Sequence, residues 1–126
     1  MTTNNNLTDS ITDTSNGLQI IKSATFVGNL SSSGNHSITT AGSGIFIKEG
    51  INAKMGQATL VAGTVTVPNT SITAKSRIQL TIASLGTVTI PTTVAVTALT
   101  VATSFVITSA NAIDTSVINW IIFEPA

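Results

Sequence analysis

The chain has no cysteine, no tyrosine, one tryptophan and one histidine, and its 126 residues carry only five acidic and five basic side chains. Without cysteine there are neither disulfides nor thiolate metal sites, and the redox state of its compartment leaves no mark. The lone histidine, His36, lies in a Gly-rich stretch with no second histidine and no nearby carboxylate. A zinc site or a catalytic triad would need ligands that converge, so His36 reads as a plain solvent-facing or interface residue. Charged residues make up 8% of the chain, against roughly 25% in ordinary globular domains. A net charge of zero provides no electrostatic footprint for nucleic acid and little repulsion between copies. No nucleic-acid partner is expected.

Residues 78–113 carry no charge at all, yet they do not read as a membrane segment. Gly86, Pro91 and a regular recurrence of Thr argue against a helix, and one short chain does not close a barrel. The start, Met1-Thr2-Thr3-Asn4-Asn5-Asn6, has no basic region and no apolar core, so no secretory signal is expected. Mean hydropathy is +0.45, high for a chain that is not in a membrane, and places part of the apolar surface at subunit interfaces. The expectation is a protein made in a cytoplasm and soluble as an oligomer.

What is present is alternation. Ile78-Gln79-Leu80-Thr81-Ile82, Thr87-Val88-Thr89-Ile90 and Val94-Ala95-Val96-Thr97 each place aliphatic and polar side chains on opposite faces of a strand. Seven strands are predicted: 58–60, 64–67, 77–83, 87–90, 94–101, 105–108 and 117–123. Breakers separate them, among them Gly63, Pro68-Asn69, Gly86 and Pro91. Short strands at this spacing predict an all-β fold, an antiparallel β-sandwich with jelly-roll or Greek-key connections. The last strand, Val117–Phe123, is apolar on both faces, so it is central in the sandwich or pressed against another subunit. The one helix-like turn that the pattern allows is Asn52–Gln57.

Three textures divide the chain. Residues 1–22 form a polar N-terminal arm with Leu7, Ile11, Leu18, Ile20 and Ile21 as its apolar anchors, either a frayed terminus or a segment that orders on a partner. Residues 23–47 are a short Gly/Asn-rich shaft or linker in which Gly-Asn recurs after six residues, as Gly28-Asn29 and Gly34-Asn35. Turns at so short a period suit short strands wound around partner chains, and an ordinary meander of loops equally. Residues 48–126 are the β-sandwich head.

A search for chemistry finds none. The carboxylates are Asp9 and Asp13 in the arm, Glu49 in a Lys48-Glu49-Gly50 turn, Asp114 and Glu124. No two of them form an evident acid–base pair, and Asp114 reads as a turn-stabilising aspartate that accepts from nearby backbone amides. No serine sits in a Gly-x-Ser-x-Gly elbow, and Gly42-Ser43-Gly44 does not open a helix that would cradle phosphate. Catalytic residues, metal ligands and cofactors are therefore not assigned.

The stretch Ile47–Val67 resembles a module that recurs at the C-terminal ends of tailed-bacteriophage virion proteins. Thr73–Ile78, Thr103–Ser109 and Asp114–Pro125 are similar to the rest of it, in order. The resemblance implies a non-enzymatic, homotrimeric structural protein: a capsid decoration (cement or head-fibre) protein, or a short tail fibre. A short chain with almost no shaft fits the decoration role, with residues 1–22 gripping the major capsid protein and the head on the outer capsid surface. The alternative is a receptor-binding tip that meets a host surface glycan or protein. Phe46, Trp120 and Ile122 are the expected subunit-interface residues.

Overall fold

The computed structural model describes residues 26–126, which divide at Ser43/Gly44 into two units. Residues 26–43 form no strand, and every side chain in them is exposed, His36 and the apolar Phe26, Val27, Leu30 and Ile38 included. Their local order is that of turns. The Ser32 hydroxyl accepts from the Gly34 amide, and Ser43 N–H donates to Thr40 C=O across Gly42, whose φ of +82° only glycine adopts freely.

The second unit, 44–126, is a six-stranded antiparallel sandwich. Its strands are β1 (Met55–Thr59), β2 (Thr64–Pro68), β3 (Arg77–Ser84), β4 (Val94–Thr100), β5 (Ser104–Ser109) and β6 (Val117–Phe123). One sheet has the order β1-β6-β3 and the other β2-β5-β4. The chain therefore crosses between sheets at nearly every connection, and β4–β5 is the single hairpin within a sheet. Strand β6 is central, flanked by β1 and β3; its inward Ile118, Trp120 and Ile122 are buried, while its outward Val117, Asn119 and Ile121 are half-buried.

Two sequence expectations give way. Residues 87–90 are not a strand despite their alternation. Thr87 N–H donates to the Thr115 hydroxyl and the Thr87 hydroxyl donates to Ile113 C=O, so side-chain bonds hold this segment where a ladder would. Its pattern still reports burial, because Val88 is buried. Residues 52–57 are not a helical turn either, since β1 begins at Met55 and pairs with β6 as far as Thr59.

The core lies between the sheets. Ile118, Trp120 and Ile122 of β6 meet Phe105 and Ile107 of β5 and Val67 of β2, while Leu60 and Ile72 close the layer from the connections. The Phe105 and Trp120 rings sit edge to face, centroids 5.5 Å apart at 77°, the geometry favoured by their quadrupoles. Gly56 is the register partner of Trp120 across β1–β6, and a Cβ there would stand 2.6 Å from Trp120 Cζ2. The ring packs against bare backbone.

At one end of the sandwich the fold is tied by a single buried carboxylate. Asp114 is fully buried in the 110–116 connection, which carries the chain from β5 in one sheet to β6 in the other. Its Oδ1 accepts from the Ser116 amide (2.8 Å) and hydroxyl (2.5 Å), and its Oδ2 from the hydroxyls of Ser109 (2.7 Å) and Thr92 (2.6 Å). Among the described residues no cation neutralises it, and these donors offset the cost of burying the charge. They hold its carboxyl far below the ordinary carboxylate range, with the Ser116 hydroxyl contributing most. The same connection is braced through backbone: Gly63 N–H donates to Asp114 C=O, and Leu60 N–H to Ser116 C=O.

The other end is tied by polar groups nearer the surface. Glu124, just past β6, receives Lys54 Nζ at 2.7 Å and the hydroxyls of Ser76 and Thr73. These partners, Lys54 first, lower its carboxyl to about 2. Asn69 is buried between, donating to Ala53 C=O and accepting from Ser71.

Both carboxylates bind a proton less readily folded than unfolded, so the unfolded chain takes up more protons as pH falls. Stability is fully present above the unfolded carboxylate range near pH 4 and is lost below it. Thermal melts are expected to drop from about pH 5 towards pH 2. Asp114→Asn should cost about 2–3 kcal/mol at neutral pH and flatten that acid slope. An unchanged slope in Asp114→Asn would assign the acid sensitivity elsewhere. Gly56→Ala should cost about 1–3 kcal/mol by overpacking, with a shift in emission of the single tryptophan that reports the displaced ring.

Candidate functional site

The outward faces of the two sheets differ in chemistry. On β2-β5-β4 the outward residues are mostly short hydroxyls and methyls, such as Thr64, Thr66, Ala95 and Thr108, with Thr97 and Thr108 hydroxyls 2.8 Å apart. On β1-β6-β3 the register places Met55, Ile121 and Gln79 in one cross-strand row and Gln57, Asn119 and Thr81 in the next. The chain has three glutamines, and two of them meet on this face with an asparagine between. Period-two geometry produces the arrangement: every second residue of β1, β3 and β6 points away from the core.

These two rows line a shallow cleft of about 370 Å³, with Glu49, Gly56 and Trp120 completing its wall. Glu49 is placed there because its backbone pairs with Met55 alongside β1. Gly56 and Trp120 also belong to the wall of an adjoining hollow formed by Gly50, Ile51, Val67 and Pro68. Gln57 Nε2 donates to Asn119 Oδ1 at 2.8 Å, fixing both amides. That bond leaves the second Gln57 N–H, Gln57 Oε1 and both Asn119 N–H groups facing outward, with the whole Gln79 amide and the Thr81 hydroxyl beside them. Trp120 Nε1 is the buried side-chain polar atom without a partner among the described residues.

A second exposed feature precedes β1. Phe46 is 96% exposed and Ile51 94%, and Ile45 is also exposed. Apolar side chains this open, this close together, are rare in a monomer at rest.

The structure separates the three residues expected at a subunit interface. Phe46 presents its side chain outward, whereas Trp120 and Ile122 face the sandwich interior and are 5% and 4% exposed. In the single chain these two are core, because inward positions of β6 alternate 118, 120, 122. The arm residues Leu7, Ile11, Leu18, Ile20 and Ile21 lie outside the described residues. Sequence reading missed the amide cleft, because the three strands that build it are far apart in the chain. The signal that was available is the long polar side chain, Gln or Asn, at outward positions of β1, β3 and β6 where Thr and Ser prevail elsewhere.

The cleft holds one carboxylate and no second titrating group, so it has hydrogen-bonding capacity without an acid–base pair. Among the described residues no group of three or more His, Asp or Glu side chains could hold a metal ion.

Residues 52–123, more than half of the chain and spanning β1 to β6, match the family described as the K1 capsule-specific polysaccharide lyase, C-terminal domain. No curated protein matches the chain significantly. The matched segment coincides with the sandwich from the turn before β1 to the last residue of β6, and the chain therefore belongs to the K1 capsule-specific polysaccharide lyase C-terminal domain family.

Proposed function

We propose that this chain is a non-catalytic structural protein of a bacteriophage virion, of the tail-fibre type, that assembles as a homotrimer. The observation that carries the reading is the family match across the whole sandwich. It is to the C-terminal domain of a polysaccharide lyase, and it falls within residues 47–126, where the resemblance to virion modules lies. The reading is supported by the exposed run Ile45-Phe46-Ile47 with Ile51, which a three-fold assembly would cover. Burying such side chains contributes about 25 cal/mol per Å² of apolar area removed from water.

A capsid decoration role is the second reading, favoured by the polar arm 1–22 with its five aliphatic anchors ahead of a head that needs no partner for its core. In that case three weak arms on one trimer would bind the major capsid protein at high effective concentration. A receptor-binding tip that meets a host surface glycan or protein is the corresponding role at the tail.

Light scattering on the full chain and on a version lacking residues 1–47 tests the assembly. A trimer in the full chain is expected, and a monomeric full chain would discard the fibre-type reading. Phe46→Asp in the full chain is expected to weaken the trimer at least tenfold while the melting of the sandwich changes little. Quantifying the protein in purified virions separates the two positions: few copies for a fibre, tens to hundreds for a decoration protein. Removal of residues 1–22 should abolish capsid occupancy only under the second reading.

A further inference from the structure

We propose that the outward face of the β1-β6-β3 sheet is a saccharide-binding site, selective for neutral or N-acetylated sugars, with Gln57, Gln79, Thr81 and Asn119 as its polar contacts. Four observations converge on it. The described residues contain two glutamines, and both point into this one cleft from strands that are not neighbours. Their planar amides offer donor and acceptor side by side, which suits the vicinal hydroxyls and acetamido groups of a sugar. The Gln57–Asn119 bond fixes two of the amides before any ligand arrives, so less side-chain freedom is lost on binding. Met55 and Ile121 lie in the same row as Gln79 and give a ring's C–H face an apolar surface beside the amides.

The size and charge of the site define the ligand further. A volume of about 370 Å³ lies at the small end of the usual range of about 300–1,000 Å³, room for a short stretch of a glycan rather than a large ligand. Glu49 is the single charged residue on its wall, so a uronate or another acidic sugar meets repulsion where a neutral one does not. Those amides also speak against a further protein layer as occupant: a subunit interface over this face would have to satisfy three amides and a hydroxyl at once or leave them dry. The opposite sheet, whose outward face is short hydroxyls already bonded in part to one another, offers no such reach. A cleft this open binds weakly, with Kd about 1 mM for one sugar, and gains strength only where several copies act together.

The inference goes beyond the virion reading and does not rest on it. A domain that binds no sugar would still belong to the same family and could still trimerise. The experiment is heteronuclear NMR on the full ¹⁵N-labelled chain, titrated with cellobiose, N,N′-diacetylchitobiose and digalacturonate. Expected are saturable shifts of the side-chain NH₂ signals of Gln57, Gln79 and Asn119 with at least one of the two neutral sugars, and weaker ones with the acidic sugar. Gln79→Ala and Thr81→Ala, both at exposed positions, should each weaken binding about 3- to 10-fold without altering the melt. Glu49→Gln should narrow the gap between neutral and acidic sugars, a change that a merely structural glutamate would not produce. Absence of shifts at these amides with all three sugars overturns the proposal. So does binding that the Gln79 and Thr81 variants leave intact. Amide signals that respond to protein concentration rather than to sugar would assign the face to contacts between copies, and would overturn it too.

Discussion

The sandwich depends on one uncompensated charge. Asp114 is buried with no cation beside it among the described residues, and what makes it tolerable is four donors drawn from three places in the chain: Thr92 ahead of β4, Ser109 at the end of β5, and Ser116 ahead of β6. Removing any one donor exposes the carboxylate to the cost of an unmet hydrogen bond in a dry site, larger than the net gain of making one. The carboxylate therefore acts as a register mark. The β5–β6 connection must pass between sheets at the point where all four donors reach it, and this fixes where β6 enters its sheet. Gly86 belongs to the same constraint: its N–H donates to the Ser116 hydroxyl, and a Cβ there would stand 2.2 Å from Thr115 Oγ1.

A chain that commits so few charges must keep its surface wet by other means. Hydroxyls and amides do it here, and they spend much of their capacity on the protein itself. Thr73, Ser76 and Lys54 all converge on Glu124, and Thr87 and Thr115 bond to each other's neighbourhood across a loop. Edges are managed without charge as well. Two of the four edge strands, β3 and β4, each carry a bulge, at Ile82/Ser84 and at Val96/Ala98, which interrupts the flat ladder that another chain's strand would extend. The cost of this economy is that little long-range repulsion keeps copies apart.

Much of this was legible in the sequence because period-two alternation is a direct consequence of burying one face. Strands β2, β3, β5 and β6 fall where alternation places them, and β6 is central, one of the two positions its doubly apolar pattern left open. Asp114 was legible as a turn aspartate through its Asx-like bond to Ser116, while its partners Thr92 and Ser109 were not, because they arrive from other strands. Residues 87–90 misled for an instructive reason. Alternation reports which side chains are buried, and Val88 is buried, but a strand also needs a neighbour to complete its ladder. Between Gly86 and Pro91 the Thr87 amide turns to the Thr115 hydroxyl, and the Thr87 hydroxyl to Ile113 C=O, in place of a ladder. Met55-Gly56-Gln57 was missed for the opposite reason, since a glycine in mid-strand weakens the pattern it belongs to.

That glycine joins the two sides of the sheet. Gly56 faces inward opposite Trp120, and the largest core side chain of β6 occupies the room that a Cβ would take. Its neighbours Met55 and Gln57 point outward into the amide cleft, and Gly56 and Trp120 themselves form part of the cleft wall. The position of β1 against β6 is thus set from inside, by how closely the indole stacks on bare backbone. The spacing of Gln57 from Asn119 outside follows from it, because both rows ride on the same register. A larger residue at 56 would not only strain the core. It would lift β1 from β6 and pull apart the amide pair that closes the cleft floor, so the packing of the interior and the chemistry of the outer face are one constraint on one residue.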